Sequence, residues 1–209
     1  GLMKLSDTLS ALNAARFEQW QLDHTADELL PAVYAFNGDV YQGLDVTSLS
    51  AAALDRLNDR IRILSGLYGV LRPSDAMRPY RLEMGTRFKT EPITSLPNYW
   101  KETVTSHLNQ TLNGRPLLNL ASQEYAQAVD LKAIEGGVIT PVFKDLKNGE
   151  YKIISFYAKR ARGLMARFLL EQEVDARADL HAFDYQGYVY SKAHSTPEAP
   201  CFLRDPSAS

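Results

Sequence analysis

The spacing of apolar residues changes several times along this chain, and the changes predict helices alternating with short strands. Leu5, Leu9, Leu12 and Phe17 fall roughly on one side at about 100° per residue, which predicts an amphipathic helix from Leu5 to about Trp20. The polar stretch from Gln21 to Pro31 reads as a connection. Val33-Tyr34-Ala35-Phe36 is a short β-prone run, closed by the turn signal Asn37-Gly38-Asp39. Leu54, Leu57, Ile61 and Leu64 recur at three- and four-residue steps, so a helix is predicted there, capped by Ser48 or Ser50 and ending at Gly66. Gly69 follows three residues on, which makes Ser65-Gly66-Leu67-Tyr68-Gly69 a tight loop.

Further along, Asn98 is the expected N-cap of a helix reaching Leu112, with Asn113-Gly114 as its stop. Leu117 to Ala121 has the pattern of a buried strand, and Ser122 to Val129 of a short helix. Val138 to Lys144 and Glu150 to Tyr157 form the clearest predicted hairpin, joined near Asn148-Gly149. A helix from Ala158 to about Glu173 follows, with Ala161, Leu164, Met165 and Phe168 on one broad face. Tyr188-Val189-Tyr190 is a predicted strand, and the Pro- and Ser-rich tail after it is expected to be mobile. The whole predicts an α+β fold in a single domain over residues 1–209.

Two stretches carry candidate chemistry. The 65–69 loop can present backbone N–H groups to a phosphate, because two glycines allow close approach; an ordinary helix end followed by an irregular loop is the alternative. Arg72, Arg78, Arg81 and Arg87 then alternate with Pro73, Pro79, Tyr80 and Phe88. That mixture suits phosphates and unstacked bases, or a surface loop balanced by Asp75 and Glu83. In the helix after the hairpin, Arg160 and Arg167 lie on one flank, with Lys159 and Arg162 on the other side. Cations at a helix start oppose its dipole, a cost that a bound polyanion would offset; snorkelling from a core helix is the alternative.

Asp39, Glu83 and Glu124 are isolated carboxylates, and capping is the commoner role of an aspartate such as Asp39. Asp39 and Tyr41 sit just past a turn; Ser122, Glu124 and Tyr125 cluster in sequence, although Ser122 has no partner base at a recognisable spacing. His24, His107, His181 and His194 are scattered, so no metal site and no cofactor is expected.

Composition narrows the partners. Of the 209 residues, 45% are hydrophobic and 23% charged, which suits a globular protein; no apolar run approaches a membrane span, so no membrane partner is expected. The formal net charge of −2 means that any nucleic-acid surface must gather its cations locally. The single Cys201 excludes an internal disulfide and fits a reduced compartment; near the terminus it is expected to be an exposed, inert thiol.

Several motifs resemble one family. Leu-Asn-Ala-Ala-Arg-Phe (12 to 17), Phe-Asn-Gly-Asp-Val-Tyr (36 to 41), Leu-Ser-Gly-Leu-Tyr-Gly-Val-Leu-Arg-Pro (64 to 73) and Pro-Tyr-Arg-Leu-Glu-Met-Gly (79 to 85) occur in order. So do Asn-Leu-Ala-Ser (119 to 122) and Ile-Ile-Ser-Phe-Tyr-Ala-Lys-Arg-Ala-Arg-Gly-Leu-Met-Ala-Arg-Phe (153 to 168). Together they resemble the YaaA family of peroxide-stress-resistance proteins, also called DUF328 or UPF0246. The resemblance implies a cytoplasmic bacterial protein on a family-specific, cantaloupe-like fold with a short β-sheet, a β-hairpin and a helix-hairpin-helix-like element. It implies DNA, duplex and branched, as partner, bound in a basic cleft without strong sequence preference, in repair or recombination and protection from peroxide. The expected contacts are Ser65, Gly66, Leu67, Tyr68 and Gly69 at the loop, with Arg72, Arg78, Arg81, Lys159, Arg160, Arg162 and Arg167. An enzyme acting on a nucleotide or nucleic acid through Asp39, Glu83 and Glu124, or a protein limiting free iron, are the alternatives. Family members begin with a strand-like segment carrying Ser-Pro-Ala-Lys, and this chain starts past it, at a Gly-Leu-Met resembling mid-helix; a fragment is therefore expected. Oligomeric state is left open.

Overall fold

Helices form where apolar spacing and end signals agree, and strands where side chains alternate between core and surface. The computed structural model describes residues 3, 5–21, 25–172, 174 and 177–207. His24 and the Gly1-Leu2 start lie outside the described residues. Helix α1 (Asp7–Glu18) opens on Ser6, whose hydroxyl accepts from the Leu9 amide. Strand β1 (Leu30–Pro31) leads into the single turn α2 (Ala32–Ala35), then α3 (Asp39–Leu44) and α4 (Ala51–Arg60). Strands β2 (Ile63–Ser65), β3 (Gly69–Leu71) and β4 (Ala76–Met77) precede α5 (Leu96–Leu112) and β5 (Leu117–Leu118). The rest comprises α6 (Gln123–Ala126), β6 (Val138–Ile139), β7 (Val142–Lys147), β8 (Glu150–Lys152), α7 (Ser155–Glu171), β9 (Tyr188–Tyr190) and β10 (Cys201–Arg204). The fold is mixed α+β, as the sequence predicts.

The largest sheet has the order β8-β7-β10-β9. Asn148 and Gly149, with φ of 55° and 79°, turn β7 into β8 as a two-residue hairpin requires. Strand β10 runs parallel to β7 and antiparallel to β9. The remaining sheets are the pairs β1–β4, β2–β3 and β5–β6.

Helix α7 divides the core. Ala161, Met165 and Phe168 pack on the large sheet through Phe143, Phe183 and Phe202. Ala166 and Leu170 pack instead against Val33, Leu44 and Leu57. The crossing with α3 is close because it is built on glycine. A Cβ on Gly163 would stand 1.9 Å from the Val40 carbonyl oxygen, and one on Gly43 would stand 2.1 Å from that of Arg160. Under the sheet, Asp145 is fully buried; it accepts from the Tyr188 hydroxyl at 3.0 Å and from Arg204 Nε at 2.5 Å. The Arg204 guanidinium lies 4.5 and 4.8 Å from the ring centres of Tyr157 and Tyr188.

Several expectations are corrected. The helix over Leu54 to Gly66 stops at Arg60, and Ile63 to Ser65 alternates buried, half-buried, buried as strand β2. Leu64 falls on the helical spacing by coincidence, and the 65–69 loop joins two antiparallel strands, so it is a β-hairpin and not a helix-hairpin-helix. Val33 to Phe36 is not a strand: Ala32 and Val33 donate their amides to the carbonyls of Asp75 and Pro73 at 2.9 and 3.0 Å, which holds one helical turn in the core. Helix α5 is capped by Ser95 rather than Asn98, with Pro97 in its first turn. The tail is part of the sheet: β10 is an inner strand, and Cys201 is 1% exposed. Burial pushes its thiol pKa up, which keeps it protonated. Ser50, not Ser48, caps α4.

Candidate functional site

Four segments far apart in sequence meet on one side of α3. The first is the β2–β3 hairpin, where buried Ser65 organises the loop. Its Oγ accepts from the Tyr68 amide at 2.8 Å and shares a 2.5 Å hydrogen bond with the Tyr80 hydroxyl. The Leu67 and Gly66 amides are also turned toward that hydroxyl. Gly69, at φ +74°, leaves room for the Trp100 ring, whose Nε1 donates to the Gly66 carbonyl at 2.9 Å. The Tyr68 amide is therefore engaged inside the protein.

The second segment, residues 79–85, threads past the hairpin. A Cβ on Gly66 would sit 2.3 Å from the Leu82 carbonyl oxygen, so the two backbones touch there. Met84 is fully buried, and the Gly85 amide donates to Glu124 Oε1 at 2.7 Å. The third segment is α6 with its cap: Ser122 accepts from the Tyr125 amide, which is a structural role for that serine. The fourth runs from Phe36 into α3, where Phe36 and Tyr41 stack at 5.5 Å and the Tyr80 ring meets Phe36 edge-on at 6.1 Å.

The result is a half-buried cluster of rings packed on the core, in which the phenols of Tyr41, Tyr80 and Tyr125 influence one another. Burial is the main cause that raises the pKa of each. Tyr41 is raised furthest, by burial and then by Tyr125 and Tyr80; Tyr125 is pushed up to about 12 by burial, then by Tyr80, Glu124 and Glu83, against the Met84 amide. All three stay protonated at neutral pH and act as neutral hydrogen-bond donors. Tyr41 has no hydrogen-bond partner for its hydroxyl among the described residues.

The predicted cations separate into two groups. Arg72 binds Asp75, Arg78 binds the Gln19 carbonyl and Glu28, and Arg81 binds Glu83. Arg167 is clamped to the carbonyls of Leu44, Asp45 and Ser48, to Ser48 Oγ at 2.7 Å and to Glu171 at 2.7 Å. Arg78 and Arg167 thus tie distant segments together, whereas the pairs of Arg72 and Arg81 are local and exposed. Lys159 is exposed, and among the described residues Arg160 hydrogen-bonds only to Gln186, at 3.3 Å. Arg162 is half-buried with no hydrogen bond or ion pair among the described residues, and desolvation lowers its pKa.

The carboxylates are also divided. Glu83 and Glu124 both lie near Tyr125, whereas Asp39 is in the first turn of α3. No group of three or more His, Cys, Asp or Glu residues placed to hold a metal ion occurs among the described residues. Among them, too, no helix is long and apolar enough to cross a membrane.

What sequence reasoning missed was the tyrosine set. Tyr41 and Tyr125 stood out singly, and Tyr80 lay within an arginine-rich stretch, but positions 41, 80 and 125 share no local spacing. The available signal was that each sits in, or directly after, one of the quoted motifs.

Fold and ring cluster thus define a mixed α+β protein whose conspicuous polar chemistry is tyrosine hydroxyls and unpaired helix cations. Residues 1–194 match the family described as peroxide stress protein YaaA. UPF0246 proteins of Shewanella denitrificans and Shewanella pealeana are 53% and 52% identical over 207 residues, which is 98% of this chain and 80% of each relative. One from Idiomarina loihiensis is 52% identical over 97% of this chain and 80% of its own length. The chain belongs to the YaaA (UPF0246) family of peroxide stress proteins.

Proposed function

We propose that this protein serves the peroxide stress response by binding DNA, duplex and branched, without sequence preference, through the cationic start of α7. The observation that carries this reading is an uncompensated helix end. The 17-residue α7 has no acidic residue in its first turn and no side-chain cap, and Lys159, Arg160 and Arg162 crowd its first two turns. The helix dipole and three cations, on two flanks of its first two turns, then gather positive charge at one end of α7 in a chain whose net charge is −2. A polyanion relieves that repulsion.

Exposed Phe156 and Tyr157 flank the same turn, 53% and 37% accessible, and Arg204 holds the Tyr157 ring in place from beneath. Aromatic faces beside cations suit splayed bases next to a phosphate backbone, as at the branch points of repair and recombination intermediates.

The test is an equilibrium titration of fluorescent duplex and branched DNA at several salt concentrations. Affinity falls steeply with salt, and the folded triple variant Lys159→Glu, Arg160→Glu, Arg162→Glu binds at least about 100-fold more weakly. Salt-independent affinity, or a folded variant that binds as well as the parent, overturns the reading.

A further inference from the structure

We propose that Phe156, with Ile153 beside it, is a wedge that enters between stacked bases and opens one step of the bound DNA. This rests on the DNA-binding reading above and deepens it by naming what the α7 surface does to the duplex it holds.

The first argument is placement. Lys159 and Arg160 follow Phe156 by three and four positions, so two cations flank the ring on one face of α7. Seven residues on, the same face is closed by α3, because Gly163 lies there against the Val40 carbonyl. What stays open on that face is the first turn. Arg160 shares a groove with Asp45 and Asp184, which leaves exposed Lys159 as the freer of the two cations.

The second argument is the make-up of the surface. Ile153 and Phe156 are 62% and 53% accessible, three residues apart, and neither joins the core on either side of α7. Single apolar residues scattered over a surface are ordinary. Two large ones bordered by cations, at a turn with no acidic residue, call for a partner that is apolar in its middle and anionic at its edges. A base step has this form, since flat apolar faces lie between two rows of phosphates, and isoleucine and phenylalanine are the kinds of side chain that unstack a step by insertion. A two-fold contact with a second copy of the chain fits less well, because it would set Lys159 and Arg160 against their own counterparts.

The third argument is support, because a wedge works only if its base does not yield. The Phe156 ring meets that of Tyr157 at 5.6 Å, and the Arg204 guanidinium lies 4.5 Å from the Tyr157 ring centre. Arg204 is itself anchored on fully buried Asp145. Through these contacts the exposed ring stands on the large sheet and on a 17-residue helix. Pyrimidine–purine steps and branch points unstack most readily, so the wedge favours them.

The test uses an end-labelled duplex and a three-way junction with 2-aminopurine at its branch, both read at saturating protein so that weaker binding does not pass for lost insertion. The parent raises the junction emission at least about twofold and draws the duplex ends together by energy transfer, as a kink requires. Phe156→Ala, with or without Ile153→Ser, brings both signals back near those of free DNA, and Phe156→Leu, still apolar, keeps part of them. These side chains are exposed, so the variants fold, which circular dichroism checks. Salt-sensitive binding by the parent with no change in emission or end distance, or a Phe156→Ala protein that matches the parent, overturns the wedge and leaves the cationic surface standing. So does a double variant that turns a dimer into a monomer without altering either signal, which makes the patch a contact between copies. Absence of salt-sensitive binding to both DNAs removes the wedge and the DNA-binding reading together.

Discussion

Two phenols lie deep in this fold, and their hydroxyls have opposite fates. Tyr188, under the large sheet, donates to Asp145, which is also held by Arg204, and the Arg204 guanidinium in turn lies on the Tyr188 and Tyr157 rings. The Tyr188 hydroxyl, both Asp145 oxygens and Arg204 Nε all have their partners inside the protein. Tyr41, on the flank of α3, is surrounded by rings and other phenols and has no partner for its hydroxyl among the described residues. Burial raises the pKa of both. The difference is in what each group is left to do. A satisfied network holds three strands and α7 in one arrangement, whereas the hydroxyl of half-buried Tyr41 is left to solvent.

The sheet network should therefore fail hard when broken. Asp145→Ala removes the carboxylate, leaving the guanidinium of Arg204, 14% exposed, and the Tyr188 hydroxyl without their acceptor. Removing one partner of a buried ion pair costs about 3–5 kcal/mol. Urea unfolding at neutral pH measures it, and a loss under about 1 kcal/mol would mean that water already reaches Arg204 well enough to replace the carboxylate.

Gly163→Ala strikes the other region without touching the sheet network. In an open helix position the change is worth up to about 1 kcal/mol of added stability. Here the new Cβ would meet the Val40 carbonyl oxygen at 1.9 Å and the Leu44 amide nitrogen at 2.7 Å, all backbone, so α3 must move off α7. Overpacking of this kind costs about 1–3 kcal/mol, and the displacement carries Tyr41 with it. A lowered unfolding midpoint together with a changed near-ultraviolet signal from the tyrosines is expected. A variant as stable as the parent, with an unchanged spectrum, would show that the crossing is looser than the glycines imply.

The same contrast explains how far the sequence could be read. Helices α5 and α7 are legible because their apolar spacing runs for 17 residues, although their starts at Leu96 and Ser155 are not where the sequence put them; α1 forms as expected, but its Leu9, Leu12 and Phe17 stay exposed and the residue it buries is Asn13. The β7–β8 hairpin is legible because Asn148-Gly149 leaves few other conformations. The turn α2 is not, since a β-prone run of four residues is made helical by tertiary bonds to Asp75 and Pro73. Strand β10 is hidden because it pairs with residues about 60 positions earlier, and its prolines and serines flank rather than interrupt it. The arginines of the candidate surface were visible, but their availability was not. Arg167 and Arg160 are 7 residues apart on one helix flank, yet one is enclosed by carbonyls and Glu171 while the other has a single amide contact. The tyrosine cluster could not be assembled from spacing at all, because chain folding alone brings 41, 80 and 125 together.

The smallest expected effect is the sharpest separation of the two phenols. Tyr41→Phe takes away a hydroxyl that has no hydrogen-bond partner among the described residues, so stability at pH 7 changes by no more than about 0.5 kcal/mol. Alkaline pH then reveals what remains. Tyrosine in the unfolded chain titrates near about pH 10, and the folded-state values of Tyr41, Tyr125 and Tyr188 are raised. Below that unfolded value the raised groups contribute their full stabilisation. Above it the unfolded chain ionises first and stability declines as pH climbs toward the folded-state values, about 12 for Tyr125. Removing Tyr41 removes one contributor, so the variant should lose less stability than the parent between pH 9 and pH 11 by urea unfolding. A destabilisation above about 1 kcal/mol at pH 7 would show that the Tyr41 hydroxyl is satisfied within the fold, and that its region resembles the sheet network after all.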